Sequence, residues 1–251
     1  MNRIWLVSAA LVAALASGSV FAADLPPAPQ IYAPAPPPPP RFSWTGCYLG
    51  IDGGGIWGRS QHIAASSANA GLAIENPFDV SGGVFGGEVG CNYQISSVVV
   101  GVANDFSWTN ATGSRNDIRP FNLAAVSTTD QSWLDTLRGR AGFAWERFYF
   151  YGTAGAAFSN VGVTVCSPGG CISDSQTRTG WTAGVGAEWA AWPVPVGTLT
   201  FKVEYLHADL GTGRFVNPPF VFPTGGTVVT RDVKLTDEIF RGGVNWKFDW
   251  W

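Results

Sequence analysis

Charge is what this 251-residue chain has least of: aspartate, glutamate, lysine and arginine together make up 13%. Histidine is limited to His62 and His207, and cysteine to four residues. From Phe42 onward no apolar run approaches the roughly 20 residues that a membrane-crossing helix needs. Each shortage excludes something. A formal net charge of −3 with scattered basic residues argues against a nucleic-acid partner. Acyl-chain chemistry needs a histidine base beside a serine nucleophile. His62 falls in a polar stretch, and His207 has no serine adjacent on its segment, so no catalytic residues are expected. A lipid-modifying enzyme is therefore the third-ranked reading. No metal site and no cofactor are expected either.

What is plentiful is glycine, at 32 residues, and tryptophan, at 12. The chain opens with a basic MNR and a short apolar run, then Val20 and Ala22 at the −3 and −1 positions of a cleavage site. Residues 1–22 thus read as an export signal. Residues 23–41 carry nine prolines between Pro26 and Pro40, which fix φ and remove donors, so they read as a disordered periplasmic tail. Residues 42–251 form the folded domain.

Within that domain eight segments alternate with the period of two that marks strands. Leu134 to Trp145, LDTLRGRAGFAW, sets Thr136, Arg138, Arg140 and Gly142 against Leu137, Ala141, Phe143 and Trp145. Polar connections near 59–81, 109–130, 159–179 and 211–236 are long, whereas those near 95–97, 145–147 and 190–198 are short. That asymmetry belongs to an outer-membrane barrel, with long loops outside and short turns in the periplasm. Trp57, Trp108, Trp133 and Trp181 lie where strands meet long loops. Trp44, Trp145, Trp189, Trp192, Trp246, Trp250 and Trp251 lie at the other ends, giving the two aromatic girdles of a membrane protein. The fold class is all-β, an eight-stranded antiparallel transmembrane β-barrel.

The polar register then faces the lumen. It collects Asp52, Glu88, Asp105, Glu188 and Glu204 against Arg138, Arg140, Lys202, Arg241 and Lys247, five of each sign. Eight strands enclose a space that side chains fill, and buried charges must be paired, so these residues are expected to form a structural salt-bridged network. Gly139, Gly142, Gly155, Gly184, Gly186 and Gly243 either thin that filling or relieve crowding in a tightly curved wall.

WTGCYLGIDGGGIWG, GGEVGCNYQ, WLDTLRGRAGFAW, FYFYGTAGAAF, TGWTAGVGAEW, KVEYLHADLG and FRGGVNWKF resemble, in order, the strands of small outer-membrane β-barrel proteins of alphaproteobacteria. That group is the outer-membrane immunogenic or RopB-like family, with an OmpA-like barrel, and the resemblance covers about residues 42–248. It implies a surface barrel that supports envelope integrity and contacts host or environment, sometimes described as a porin. The implied partners are outer-membrane lipid and lipopolysaccharide, the barrel assembly machinery, and an extracellular ligand held by the loops. Family members tend to end on an aromatic residue, whereas here Phe248 is followed by Asp249-Trp250-Trp251.

The family assigns no role to the cysteines. Cys166 and Cys171 bracket Ser-Pro-Gly-Gly in an exported loop, which favours a disulfide over a metal site. Cys47 and Cys91 share an outward face, where they either pair across the ladder or stay two small apolar residues. A structural and surface-interaction protein ranks first, a narrow porin second.

Overall fold

The computed structural model describes residues 42–66, 68–216, 220–221 and 227–248. The expected export signal, the proline-rich tail and the terminal Trp250-Trp251 lie outside those residues. Among the described residues every regular element is a strand. In chain order the long ones are β1 (Gly46–Ala64), β2 (Phe78–Ile95), β3 (Val98–Thr109, continued by Thr112–Asn116), β4 (Val126–Trp145), β5 (Phe148–Ser167), β6 (Gly170–Val194), β7 (Gly197–Phe215) and β8 (Arg231–Phe248). A two-residue ladder, Phe220–Val221 with Thr227–Val228, lies between β7 and β8.

Each strand pairs antiparallel with its neighbour, and β1 pairs with both β2 and β8, from Cys47 opposite Phe248 to Ala64 opposite Arg231. The ring is closed. Closure is what a sheet in lipid requires, because an open edge would leave backbone groups without partners. On one side the reversals are tight: Ser96-Ser97 joins β2 to β3, and Glu146-Arg147 joins β4 to β5. Ser96 and Glu146 take φ of 57° and 52°, the left-handed start that matches hairpin twist.

The burial pattern is inverted relative to a water-soluble barrel. Leu49, Ile51, Phe85, Val89, Val102, Leu137, Phe150, Val185 and Phe240 are exposed, while Arg138, Arg241 and Lys202 rank among the largest fully buried side chains. Period-two alternation puts one set outside and the other inside. Trp57, Trp108 and Trp181 stand exposed at one level, and Trp145, Trp189, Trp192 and Trp246 at the other.

Trp44 departs from the girdle expected of it. The chain turns inward before β1, the Trp44 amide donates to Gln94 Oε1 at 2.7 Å, and the indole packs 5.3 Å from the Tyr149 ring. With Phe42, Tyr149, Tyr151, Val99, Ala144 and Ala190 it fills the barrel from the short-turn end.

The long connections also differ from expectation. Segment 159–179 is no loop, because β5 and β6 pair without a break from Phe148–Trp189 to Ser167–Gly170. β1 likewise runs on through Arg59, Ser60 and His62. Ladder hydrogen bonds do not end where lipid ends, and alternating Val, Thr and Ser suits a strand in water as well. Two bulges sit near the outer girdle, one in β4 at Ser132 and one in β7 at Gly211, whose φ is +64°. A bulge adds a residue and flips the register beyond it. Hence Leu134, Thr136 and Arg138 face inward below the β4 bulge, and Gln131, Thr129 and Ser127 face inward above it.

Candidate functional site

Residues Asp52, Glu88, Asp105, Arg138, Arg140, Glu188, Lys202, Glu204, Arg241 and Lys247 all point into the lumen and are each no more than 3% exposed. Arg138 reaches Asp105 with Nη2, Glu204 Oε1 with Nη1 at 2.8 Å and Glu88 Oε2 at 3.6 Å. Its Nε donates to Thr136 Oγ1 at 2.9 Å. Arg241 holds Asp105 at 2.6 Å, Glu204 at 2.7 Å and Asp52 at 3.4 Å. Lys202 bridges Asp52, at 3.0 Å, and Glu88.

Arg140 makes a second centre nearer the short-turn end. It pairs with Glu188 at 2.9 Å and Glu88 at 3.5 Å, donates to the Tyr48 hydroxyl, and lies 4.0 Å over the Tyr151 ring. Glu188 also accepts from Asn245 at 3.0 Å and from Thr200. Lys247 sits lower, 5.4 Å from the Phe42 ring. In so small a ring each acid can meet several cations, because long side chains from facing walls converge in a lumen that they fill.

Inward glycines stand where the tightly curved wall leaves no room for a Cβ. A Cβ at Gly142 or Gly155 would stand 2.0 Å from a neighbouring carbonyl oxygen, so no side chain is possible there. Gly139 belongs elsewhere: it faces outward, and a Cβ would meet only Ala154 O at 3.9 Å.

Above the charge network lies an apolar layer. Ile56 is opposite Ile239 and Ile239 opposite Leu206, and with Val84 and Leu134 they are buried in one cluster. Over it sits a second polar group that the sequence reading did not find. His62 Nδ1 lies 3.0 Å from Glu75 Oε1, and Nε2 2.9 Å from Thr129 Oγ1, which is 3.0 Å from Ser60 Oγ. Arg231 donates to Ser127 Oγ at 2.6 Å, and Ser127 donates to Asp117 Oδ1 at 2.7 Å. Glu75 arrives on the β1–β2 connection, which folds into the mouth: the Ile74 amide donates to His62 O at 3.0 Å, and the Ile118 amide to Ile74 O at 2.7 Å. The unbroken parity of Ser60 and His62 with Ile56 was the signal available.

Burial sets the acidities in this mouth. It pushes the His62 imidazole down, which keeps the ring neutral, and pushes Asp117 up to about 6. Glu75, His62 and Thr129 have the spacing of an acid–base–nucleophile relay, but all three are 0% exposed.

Both cysteine pairs are bonded. Cys166–Cys171 closes the tip of the β5–β6 hairpin, and Cys47–Cys91 links β1 to β2 on the outward face.

A closed, apolar-skinned β-barrel with a charged interior is the architecture of an outer-membrane protein, and the comparisons agree. Residues 8–248 match the family described as outer membrane protein beta-barrel domain, and the chain belongs to that family. It is 33% identical over 249 residues to the 31 kDa outer-membrane immunogenic protein of Brucella melitensis, covering 95% of this chain and 98% of that one. It is 30% identical over 251 residues to the 25 kDa outer-membrane immunogenic protein of the same species, covering 99% of both. The 22 kDa outer membrane protein of Rhizobium leguminosarum bv. viciae is 28% identical over 178 residues, covering 69% of this chain and 67% of that one. The protein resides in the outer membrane.

Proposed function

We propose that this barrel is a closed structural element of the outer membrane whose extracellular strands and loops make its surface contacts. The observation that carries the reading is the apolar layer of Ile56, Leu134, Leu206 and Ile239 above a dense network of buried ion pairs. An ion crossing the lumen would have to break several buried pairs and then shed its water in that layer. Breaking a buried pair from one side costs about 3–5 kcal/mol, and the Trp44 cluster adds a further obstruction at the short-turn end.

The same packing supports a non-enzymatic role. Thr129 is sealed behind the inward-folded β1–β2 connection, and His207 bonds a carboxylate rather than a serine. Lipid and lipopolysaccharide would surround the wall, the assembly machinery would read the β8 end near Phe248, and an external partner would meet the strands beyond the outer girdle.

Single-channel recording of the refolded chain in planar bilayers tests the reading. No discrete conductance steps are expected in salt at neutral pH. Sustained, voltage-stable steps would replace the closed scaffold by a narrow porin.

A further inference from the structure

The outer wall is not uniform. Across β4 to β8 it is indented by a groove of about 690 Å3. Its sides are Phe143, Phe150, Val185, Val203, Tyr205 and Phe240, all on the outward register between the two tryptophan levels. Gly152 and Ala187 leave the floor low. The fold does not demand glycine at 152, because a Cβ there would meet nothing closer than Ala141 O at 4.0 Å. That position contrasts with the inward glycines, where a Cβ collides with backbone.

One outward rung above the groove stands a polar group, and Asp209 and Thr236 follow on the next outward rung, Asp209 opposite Trp181. Glu238 is opposite both Trp57 and His207, while Phe240 and Val185 are opposite Tyr205. The Glu238 carboxylate accepts from His207 Nδ1 at 2.8 Å and from the Tyr205 hydroxyl, and Trp181 lies 5.3 Å from the His207 ring. The side chain of Glu238 stays 46% exposed. Two donors fix the carboxylate's orientation, and each oxygen keeps a lone pair for another donor. Exposed indole and phenol faces of Trp57, Trp181 and Tyr205 flank it. A carboxylate among aromatic faces is complementary to an ammonium ion.

We infer that this face is a binding site for one outer-leaflet lipid with an ammonium-bearing headgroup. Its acyl chain lies in the groove, and its ammonium rests on Glu238 between Trp57, Tyr205 and Trp181. The vertical order carries the assignment to a lipid rather than to a second barrel: apolar recess at hydrocarbon depth, negative charge at headgroup depth. A second barrel would bring its own apolar wall against Glu238 and desolvate the carboxylate without pairing it.

The test uses the full mature chain refolded into nanodiscs containing equal amounts of phosphatidylethanolamine, phosphatidylcholine and phosphatidylglycerol. Native mass spectrometry then counts the lipids retained on the released barrel. Retention of the two ammonium lipids should exceed that of phosphatidylglycerol by about fivefold, the discrimination a cation–π and carboxylate contact at an exposed site supplies. Glu238→Gln should erase that preference and keep the barrel folded. Gly152→Leu should lower retention of all three lipids, whereas Gly87→Leu, on the outward face of β2, should leave retention unchanged. Equal retention of all headgroups by the parent chain would overturn the site. So would a preference for phosphatidylglycerol, with or without divalent cations, or lipid-free dimers as the main species.

Discussion

Arg138→Ala is the sharpest perturbation of the lumen. In the central layer five carboxylates, Asp52, Glu88, Asp105, Glu188 and Glu204, face four cations, Arg138, Arg140, Lys202 and Arg241. Removing Arg138 leaves three. Asp105 and Glu204 each keep Arg241, and Glu88 keeps Lys202, so no acid is wholly abandoned. Stripping one side of a buried pair costs about 3–5 kcal/mol, and the retained partners place Arg138→Ala near the lower end, about 3 kcal/mol. Arg241→Ala should cost more, about 5 kcal/mol by the same range, because Arg241 touches Asp52, Glu88, Asp105 and Glu204.

Urea unfolding in lipid vesicles, followed by tryptophan fluorescence, reads both values as a shift of midpoint. Arg138→Ala combined with Asp105→Ala should recover part of the loss, since it restores the excess of one carboxylate in that layer. An Arg138→Ala barrel with parental stability would refute the reasoning, because it would mean that Arg138 does not stabilise the packed interior. If conductance appeared at the same time, the lumen would be a water-filled path rather than a brace.

The two disulfides should differ in worth because they close loops of different length, 44 residues apart for Cys47–Cys91 and 5 for Cys166–Cys171. Loop-closure entropy gives about 4 kcal/mol for the longer and about 2 kcal/mol for the shorter, so Cys47→Ser should shift the urea midpoint further than Cys166→Ser. Asp117→Asn should tighten the mouth at pH 7.5 and be neutral near pH 4. A carboxyl whose folded value is raised to about 6 loses stability as pH climbs from its unfolded value, about 3.9, through 6. Amide exchange at Ile74 and Ile118, compared with the parent at each pH, measures this, and equal protection at pH 7.5 would contradict it. A cysteine placed at Asn116 should react with an impermeant maleimide on intact cells, whereas one at Ser96 or Glu146 should not; the reverse pattern would turn the barrel over.

The barrel was readable because its two faces meet opposite solvents. Lipid outside and a crowded interior force strict alternation on β4 around Arg138 and Arg140, and no water-soluble sheet hides two arginines in that way. The network's pairings were less readable than its membership. Which acid meets Arg138 depends on β7 and β8, far away in sequence, and Glu204 reaches it across the lumen at 2.8 Å. Trp44 was misplaced because a tryptophan near a strand end satisfies the girdle pattern whether it points out or in.

The mouth was missed for a different reason. Above the outer girdle lipid no longer forces an apolar outward face, and apolar residues such as Val161, Val163, Val165 and Val233 turn inside, so the outward hydrophobic alternation fades although the strands continue, and the polar outward residues read as loop. Ser132 and Gly211 then reverse the inward parity on β4 and β7, so even a reader who extended the pattern would point Thr129 away from His62. Glu75 arrives from a connection with no period at all. The same fading explains why the outer wall above the groove escaped notice. Glu238 and His207 look like ordinary rim polarity one strand at a time, and only the register, His207 opposite Glu238 opposite Trp57, joins them into one feature above an apolar recess. A barrel's interior is written in each strand's alternation, whereas its surface sites are written in the pairing between strands.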